Sequence, residues 1–227
     1  LTFGGLRIFT RTVQNLTCAT TSAGELLVLF TTAGDSVFVQ RIAANGAKEF
    51  SGDGVLLGID SDPFFAGPTL FADGEGGVVT YPRSPGGATT QMWATRFNSA
   101  GTRQWGVNGV MVVGLAGITA LRQRADWDGT NLFCSWEHAS TPTGFFDAYP
   151  IRAQKLNGSG VAQWTANGVV VHTPVTGSPF LETFGPVEKL VVSDRLGGCY
   201  VAWFDPRNYN QPAPNTFLHG GDIYGQR

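Results

Sequence analysis

Short, nearly continuous apolar runs recur along this chain. The four clearest are Leu26–Phe30, Val78–Tyr81, Leu132–Trp136 and Cys199–Phe204. Each has the length of a strand and is too short for a buried helix, and such unbroken runs are typical of strands that are covered on both faces. The pattern therefore predicts an all-β protein.

A repeat with fixed internal spacing follows each of the first three runs. A basic residue is followed after five positions by Gly, after four more by a large aromatic residue, and after four more by Gly-Val. The basic residues are Arg41, Arg96 and Lys155; the aromatic residues are Phe50, Trp105 and Trp164; and the later glycines are Gly54, Gly109 and Gly168. A fourth copy begins at 222–227 with Arg227 in the basic position, and residues 1–6 match the end of the unit. Such periodicity indicates a repeat architecture.

We expect each unit to form four antiparallel strands. Asp-x-x-Gly turns at Asp73, Asp126 and Asp194 would separate the first strand from the apolar second strand. The basic residue would lie on the third strand, and an Asn-Gly-type turn would lead into a fourth strand that holds the aromatic residue and Gly-Val. Since each sheet needs neighbours on both faces, the repeat predicts a β-propeller of four-stranded antiparallel blades.

The repeat predicts that the 227 residues form a single propeller domain, or a fragment of one, with about four blades. Residues 1–13 would be the last strand of a preceding or closing blade; residues 14–58, 67–114 and 117–173 would be complete blades; and residues 185–227 would be an incomplete blade. Residues 1–9 could close a four-bladed ring, or the chain could be part of a larger propeller. The incomplete final sheet favours the second arrangement, because a bounded domain rarely leaves such an edge open.

The connection from the second to the third strand lengthens from unit to unit, and the links between units vary too. In an up-and-down blade both kinds of connection leave the same side of the ring, and loops on one side of a rigid scaffold often bind ligands. We therefore expect recognition of a protein or glycan on this side; neutral variation or packing on a neighbouring domain is the alternative. The candidate binding residues are Tyr209, Phe217, His219, Trp136, His138 and Phe145.

Charge and composition exclude several classes of partner. Lys and Arg number 15 against 17 Asp and Glu, and neither sign forms a run, so we expect no nucleic-acid binding. No apolar stretch approaches the roughly 20 residues that span a bilayer, so we expect no membrane insertion. Three scattered cysteines, Cys18, Cys134 and Cys199, are expected to be small buried hydrophobic residues, with one disulfide and a free thiol as the alternative.

Candidate chemistry is sparse. No nucleophile-elbow, phosphate-loop or zinc pattern occurs, and the histidines share no metal-ligand spacing. Glu188 is the only carboxylate well inside the predicted first strands, so we expect no catalytic residues and no cofactor. Two Asp-x-Asp pairs, Asp60/Asp62 and Asp126/Asp128, are a weak signal for Ca²⁺, since Asp is also a common turn residue.

The last unit resembles a known repeat. Trp203-Phe204-Asp205-Pro206-Arg207, followed by Asp222-Ile223-Tyr224-Gly225-Gln226-Arg227, is similar to the Trp-x-Asp-x-Arg and Asp-Ile-Tyr-x-Gln-Arg motifs of large secreted or cell-surface bacterial β-propeller proteins, many of them Bacteroidetes-like with a C-terminal sorting domain. The second and third units depart from it, with Tyr81-Pro82-Arg83 and Trp136-Glu137-His138.

The resemblance implies an extracellular or cell-surface location. It implies a non-catalytic structural or binding module that contacts a protein, a glycan or neighbouring domains or subunits of an assembly. A non-catalytic targeting domain of a secreted polysaccharide-degrading enzyme is the alternative, and a catalytic propeller is a more distant one. Within the repeat, we expect the Gln amide to bond the backbone and the basic residue to pair with a carboxylate such as Asp205.

Overall fold

The computed structural model describes residues 5, 7–33, 36–59, 67–85, 89–140, 149–174, 189–205 and 222–227. These residues form four antiparallel sheets in which spatial order follows chain order. Blade 1 contains β1 (Val13–Thr20), β2 (Leu26–Thr32), β3 (Val37–Ile42) and β4 (Val55–Gly58). Blade 2 contains β5 (Thr69–Ala72), β6 (Gly77–Arg83), β7 (Gln91–Phe97) and β8 (Val110–Val113). Blade 3 contains β9 (Thr119–Trp127), β10 (Leu132–Ala139), β11 (Ile151–Leu156) and β12 (Val169–His172). Blade 4 contains β13 (Lys189–Ser193), β14 (Cys199–Asp205) and β15 (Asp222–Gln226).

Consecutive blades face one another. The first strands contact in sequence, β1 with β5, β5 with β9 and β9 with β13, so they form the inner side of the array. Apolar residues of adjacent blades form one cluster between blades 1 and 2, one between blades 2 and 3, and one between blades 3 and 4. The predicted all-β propeller of four-stranded antiparallel blades is thereby confirmed.

The two sides of the array differ in their connections. On one side, which we call the trimmed face, the first and second strands are joined by four or five residues in every blade, and the third and fourth by twelve residues (43–54, 98–109 and 157–168). On the opposite side, the elaborated face, the connections from second to third strand have 4, 7, 11 and 16 residues (33–36, 84–90, 140–150 and 206–221). Connection lengths are therefore constant on the trimmed face and variable on the elaborated face.

The repeated Gly before the fourth strand is required by geometry. Gly54, Gly109 and Gly168 have φ values of 99°, 77° and 77°, a region that other residues rarely adopt. A Cβ atom at these positions would also overlap the carbonyl oxygen of Val39, Ala94 or Ala153 on the third strand. The Gly therefore brings the twelve-residue connection back onto the sheet at a point where no side chain fits.

Two details of the predicted unit are wrong. The aromatic residue lies five positions before the fourth strand and not within it, because Phe50, Trp105 and Trp164 belong to the twelve-residue connection. In blade 3 the turn is capped by Asp128 and not by Asp126. Asp128 Oδ1 accepts the backbone N–H of Thr130 and of Asn131 at 2.7 and 2.6 Å, as Asp73 Oδ1 does for Glu75 and Gly76.

One contact between blades recurs through the aromatic residues. The Trp105 ring of blade 2 lies against Gly160 of blade 3, and its Nε1 donates to the Gly158 carbonyl at 3.0 Å. Phe50 of blade 1 lies in the same way against Gly101 of blade 2. In blade 3, Trp164 packs into the cluster shared with blade 4. Each aromatic residue therefore joins its own blade to the next.

Candidate functional site

Six candidate binding residues were predicted on the elaborated face, and the structure describes two of them. Tyr209, Phe217, His219 and Phe145 lie outside the described residues. Trp136 on β10 is 0% exposed and packs in the cluster between blades 2 and 3, so it belongs to the core and not to a contact surface. The apolar run that contains it is a buried strand, and that pattern alone could have placed it inside.

His138 lies two residues further along β10, at the rim of the elaborated face. Its backbone N–H donates to the Pro150 carbonyl at 2.8 Å, and its buried Nδ1 has no hydrogen-bond partner among the described residues. Burial lowers the pKa of His138, and the nearby Arg152 guanidinium lowers it further. The imidazole is therefore neutral near pH 7 and offers one nitrogen as a donor and the other as an acceptor.

Two aromatic groupings lie on the same rim. His172 at the end of β12 stacks on Trp203 of blade 4 with ring centroids 5.1 Å apart, and Trp203 stacks on Tyr224 at 6.1 Å. In blade 2 the Arg83 guanidinium lies 4.7 Å from the centre of the Trp93 ring, whose Nε1 donates to Gln91 Oε1 at 2.8 Å. Flat apolar rings with polar edges are thus placed around the ends of the second and third strands.

A buried charge cluster lies closer to the inner strands. Glu137 on β10 is 0% exposed and pairs with Arg122 of β9 and with Lys189 at the start of β13. The Lys189 Nζ lies 3.4 Å from Glu137 Oε1 and donates to the Arg122 carbonyl at 2.6 Å. The cluster therefore ties the inner strand of blade 4 to blade 3.

A β-bulge places Arg122 in this cluster. Between Leu121 and Arg124, β9 has two residues where β10 has only Trp136, and Arg122 adopts a φ of 46°. Such backbone is costly for a residue other than Gly, and bulges often redirect side chains. This cluster was not predicted from the sequence, although Glu137 directly follows the nearly continuous apolar run Leu132–Trp136 and a buried acid needs a cation nearby.

The burial of Lys189 determines the chemical role that the cluster can have. Its side chain is also 0% exposed. Burial lowers the pKa of Lys189 to about 8, while the Glu137 carboxylate acts in the opposite direction. Because both charged ends are closed to solvent and Glu137 faces two cations, the arrangement suits an electrostatic link between blades.

The one carboxylate on the described inner strands accepts a backbone hydrogen bond. Among the described inner-strand residues, the only acid is Asp126, whose Oδ2 accepts the Ser193 N–H of blade 4 at 2.7 Å. Glu188, Asp60 and Asp62 lie outside the described residues. No group of three or more His, Cys, Asp or Glu residues within the described ranges could hold a metal ion, so Ca²⁺ binding stays a prediction.

The repeated Gln holds the twelve-residue connection, as the sequence suggested. Gln40 donates to the Phe50 carbonyl at 3.0 Å and accepts the Phe50 N–H at 3.0 Å. Gln154 donates to the Thr165 carbonyl and accepts the Trp164 N–H, at 2.9 and 3.1 Å. The amide thereby completes backbone hydrogen bonds that the irregular connection cannot make by itself.

The repeated basic residue pairs with the turn between the first and second strands. Arg41 binds Glu25, Arg96 binds Asp73 and Arg227 binds Asp194, the last two with N–O distances of 2.6 Å. Lys155 instead donates to the Gly197 carbonyl of blade 4 at 2.8 Å. The partner of Arg227 is thus Asp194, whereas the sequence suggested Asp205, whose side chain lies outside the described ones.

The cysteines are all free thiols. Cys134 and Cys199 are buried as expected, and burial raises the pKa of both, that of Cys199 to about 11. The expectation is wrong for Cys18, which is exposed on β1. In the parts of the chain that the structure describes, no helix has the length and apolarity needed to cross a membrane.

Comparison with known proteins gives distant structural likeness only. No protein-family model matches the sequence, and no curated protein matches it. Among solved structures, the chain is similar to a thermostable family-43 glycoside hydrolase (12% identity, TM-score 0.46, covering 86% of this chain and 67% of that one). It is similar to an endo-1,4-β-xylanase from Bacteroides thetaiotaomicron (9%, 0.45, 86% and 66%) and to an α-L-arabinofuranosidase from Lactobacillus brevis (11%, 0.45, 94% and 71%).

The chain thus spans about two thirds of the length of these enzymes. Likeness at these identities and TM-scores carries no statement about activity. The fold assignment rests on the strand order and blade contacts of this chain itself.

Proposed function

We propose that this propeller is a non-catalytic binding module that acts outside the cell or at its surface and recognises a protein or glycan through its elaborated face. The observation that carries the proposal is the difference between the two faces. Connections of 4, 7, 11 and 16 residues leave one face, while on the other face every blade repeats a connection of four or five residues and each complete blade repeats one of twelve. Variable loops on one side of a rigid scaffold are the usual form of a binding surface.

The side chains at the bases of these loops support the same proposal. Trp93, Tyr224 and His172 lie partly buried at the rim, and the neutral imidazole of His138 offers hydrogen bonds beside them. Aromatic rings with a few polar groups are typical of binding sites for small ligands and chain segments. A targeting domain of a secreted polysaccharide-degrading enzyme would use this face in the same way.

The test is affinity electrophoresis of the 227-residue chain through gels that contain single polysaccharides, both neutral and acidic. A loop variant replaces residues 206–221, the longest connection between a second and a third strand, with Ala-Gly-Asp-Ser, the 33–36 connection of blade 1. We expect at least one polysaccharide to retard the native chain and the loop variant to migrate as it does in an empty gel. The matched control, Leu196→Ser on the trimmed face, should be retarded like the native chain.

Equal retardation of the native chain and the loop variant would overturn the proposal, because the binding site would then lie away from the elaborated face. Absence of retardation in every gel would exclude the polysaccharides tested, and the proposal would then require a protein ligand whose binding the loop variant abolishes. Release of reducing sugar from any polysaccharide by the native chain would show catalysis and contradict the non-catalytic role.

A further inference from the structure

Blade 3 carries a guanidinium group where the other blades carry an aromatic ring. Arg152 on β11 lies three positions before the basic residue of its repeat. The same position holds Phe38, Trp93 and Tyr224 in the other three blades. In every blade this residue is the direct cross-strand partner of an aromatic residue on the second strand, which in blade 3 is Trp136. A pair of aromatic residues is thus replaced in blade 3 by a Trp–Arg pair.

The charge of Arg152 has no carboxylate partner among the described residues. Its Nη1 donates to the carbonyl oxygens of Asn167 and Gly168 at 3.3 Å each, and its Nε is buried without a partner. Arg152 is the second residue of β11, next to the 140–150 connection of the elaborated face, and its side chain is only partly buried. A guanidinium in such a place is suited to an anion, whose oxygens match its planar set of donors.

Two further polar atoms without a partner lie beside Arg152 on β10. Trp136 belongs to the cluster shared with blade 2, and His138, two residues along the same strand, lies on the same face. The Trp136 Nε1 and the His138 Nδ1 are both buried and have no hydrogen-bond partner among the described residues. The face of blade 3 that meets blade 2 therefore has unused hydrogen-bonding groups on two neighbouring strands.

The β-bulge in β9 adds a fourth such atom. It places Gln123 opposite Trp136, and Gln123 Nε2 donates to the Gln91 carbonyl of blade 2 at 3.0 Å. Its Oε1 is buried and has no partner among the described residues, although the residue is only 4% exposed. Because buried polar atoms in proteins are bonded in the great majority of cases, four unpaired atoms on one face indicate that water or a ligand supplies their partners.

These four groups offer donors together with acceptors. Arg152 and Trp136 only donate, Gln123 Oε1 only accepts, and the neutral imidazole of His138 has one nitrogen of each kind. A charged sugar matches the set, because its anionic group accepts from the guanidinium while a neighbouring hydroxyl donates to the imidazole. The carboxylate of a protein side chain brings no hydroxyl with it, and a neutral sugar leaves the guanidinium without an anion.

We propose that the elaborated face binds an acidic glycan, with the anionic group of one sugar, a carboxylate or a sulfate, on Arg152 and a hydroxyl of the same sugar on His138. Trp136 and Gln123 lie deeper in the interface, where water held beneath the sugar completes their hydrogen bonds. The inference rests on the proposed function and adds the charge of the glycan. Since the chain has a formal net charge of −2, attraction of an acidic polymer has to come from a local cation.

The test is affinity electrophoresis in two matched pairs of gels, polygalacturonate against its fully methyl-esterified form and dextran sulfate against dextran. Each pair keeps the sugar backbone and changes only the anionic group. We expect at least one acidic polymer to retard the 227-residue chain, with a dissociation constant at least tenfold lower than that of its neutral counterpart. The pair that shows the difference distinguishes a carboxylate from a sulfate.

Variants at Arg152 connect this binding to the proposed site. Arg152→Phe creates the aromatic pair that blade 1 already accommodates as Phe30 and Phe38, and it should weaken binding of the acidic polymer at least tenfold. Arg152→Gln should give the same loss, and Arg152→Lys should restore part of the binding. The matched control, Arg195→Phe, removes the same charge from an exposed position on the trimmed face and should bind like the native chain. Urea unfolding checks that each variant is folded.

The result that overturns the inference differs from the one that overturns the proposed function. Absence of retardation in both acidic gels overturns the inference, and so does equal binding by the native chain and by folded Arg152→Phe or Arg152→Gln. The proposed function fails separately, when the variant that replaces residues 206–221 binds its polysaccharide as the native chain does.

Discussion

Single residues explain why the repeat tolerates so little variation at a few positions. Gly109 needs a positive φ and also leaves no room for a side chain, because a Cβ atom would overlap the Ala94 carbonyl oxygen. Gly106, three residues earlier, has a similar φ of 80° but open space around it. The two glycines therefore separate the cost of the backbone conformation from the cost of the close approach.

Alanine at these two positions should have clearly different effects on stability. Gly106→Ala is expected to lower the free energy of unfolding by about 1 kcal/mol, the cost of a left-handed conformation. Gly109→Ala is expected to lower it by about 3 kcal/mol or more, since backbone must also move. Urea denaturation of the two variants measures the difference, and equal losses would show that the close approach to Ala94 is not maintained in solution.

Lys189 makes a separate prediction about pH. Its pKa is about 8 in the folded protein and 10.5 in the unfolded chain, so between these values the unfolded state binds more protons. Stability should therefore rise with pH across this window, by about 1–3 kcal/mol from this residue alone. Below pH 8 both states are protonated, and the contribution no longer changes.

The observable is the difference between the native protein and Lys189→Met, since Tyr81 and Cys199 also titrate at alkaline pH. Denaturation curves from pH 7 to 10.5 should show native stability rising relative to that of the variant above pH 8. Two curves that stay parallel over the whole range would show that Lys189 is solvated in the folded protein.

At the scale of the element, the twelve-residue connection between the third and fourth strands is the most constant part of each blade. In blades 1 and 3 a buried Gln fastens it by bonding both the N–H and the C=O of its backbone. Blade 2 has Thr95 in the same position, fully buried, and its Oγ1 has no partner among the described residues. At this position, the side chain hydrogen-bonds the connection in blades 1 and 3, whereas the Thr95 hydroxyl of blade 2 makes no such bond among the described residues.

This contrast provides a matched pair of substitutions. Gln154→Leu should lower the free energy of unfolding by about 2 kcal/mol or more, because the Trp164 N–H and the Thr165 carbonyl lose their partner. Thr95→Val should lie within about 0.5 kcal/mol of the native protein or be slightly more stable, since it removes a buried hydroxyl without a partner. Equal and small effects in thermal and urea unfolding would show that the Gln amide is not needed to hold the connection.

The features of these elements that depend on regular spacing could be predicted from the sequence. Strand order, the fixed connection on the trimmed face and the Gly before the fourth strand all follow from the repeat. Asp126 was misassigned as the turn cap because it lies three residues before Gly129, whereas the actual cap, Asp128, directly precedes that Gly and is identified only by its hydrogen bonds. The Arg122–Glu137–Lys189 cluster was missed because it depends on a bulge and on the packing of blade 4 against blade 3.

At the scale of the whole molecule, adjacent blades are joined by three apolar clusters of the same kind. At the first two of these interfaces the aromatic residue of one blade also meets the turn glycine of the next. The array is therefore stabilised by nearest-neighbour contacts, as in other repeat proteins.

Urea denaturation of Trp105→Ala tests this dependence on neighbouring blades most directly, because the Trp105 side chain belongs to the cluster between blades 2 and 3 and its Nε1 donates to the Gly158 carbonyl. We expect the free energy of unfolding to fall by about 3–5 kcal/mol, since the substitution leaves a cavity between the two blades. Val107→Ala, at an exposed residue of the same connection, should unfold like the native protein. A loss below about 1 kcal/mol for Trp105→Ala would show that blade 2 does not depend on this contact with blade 3.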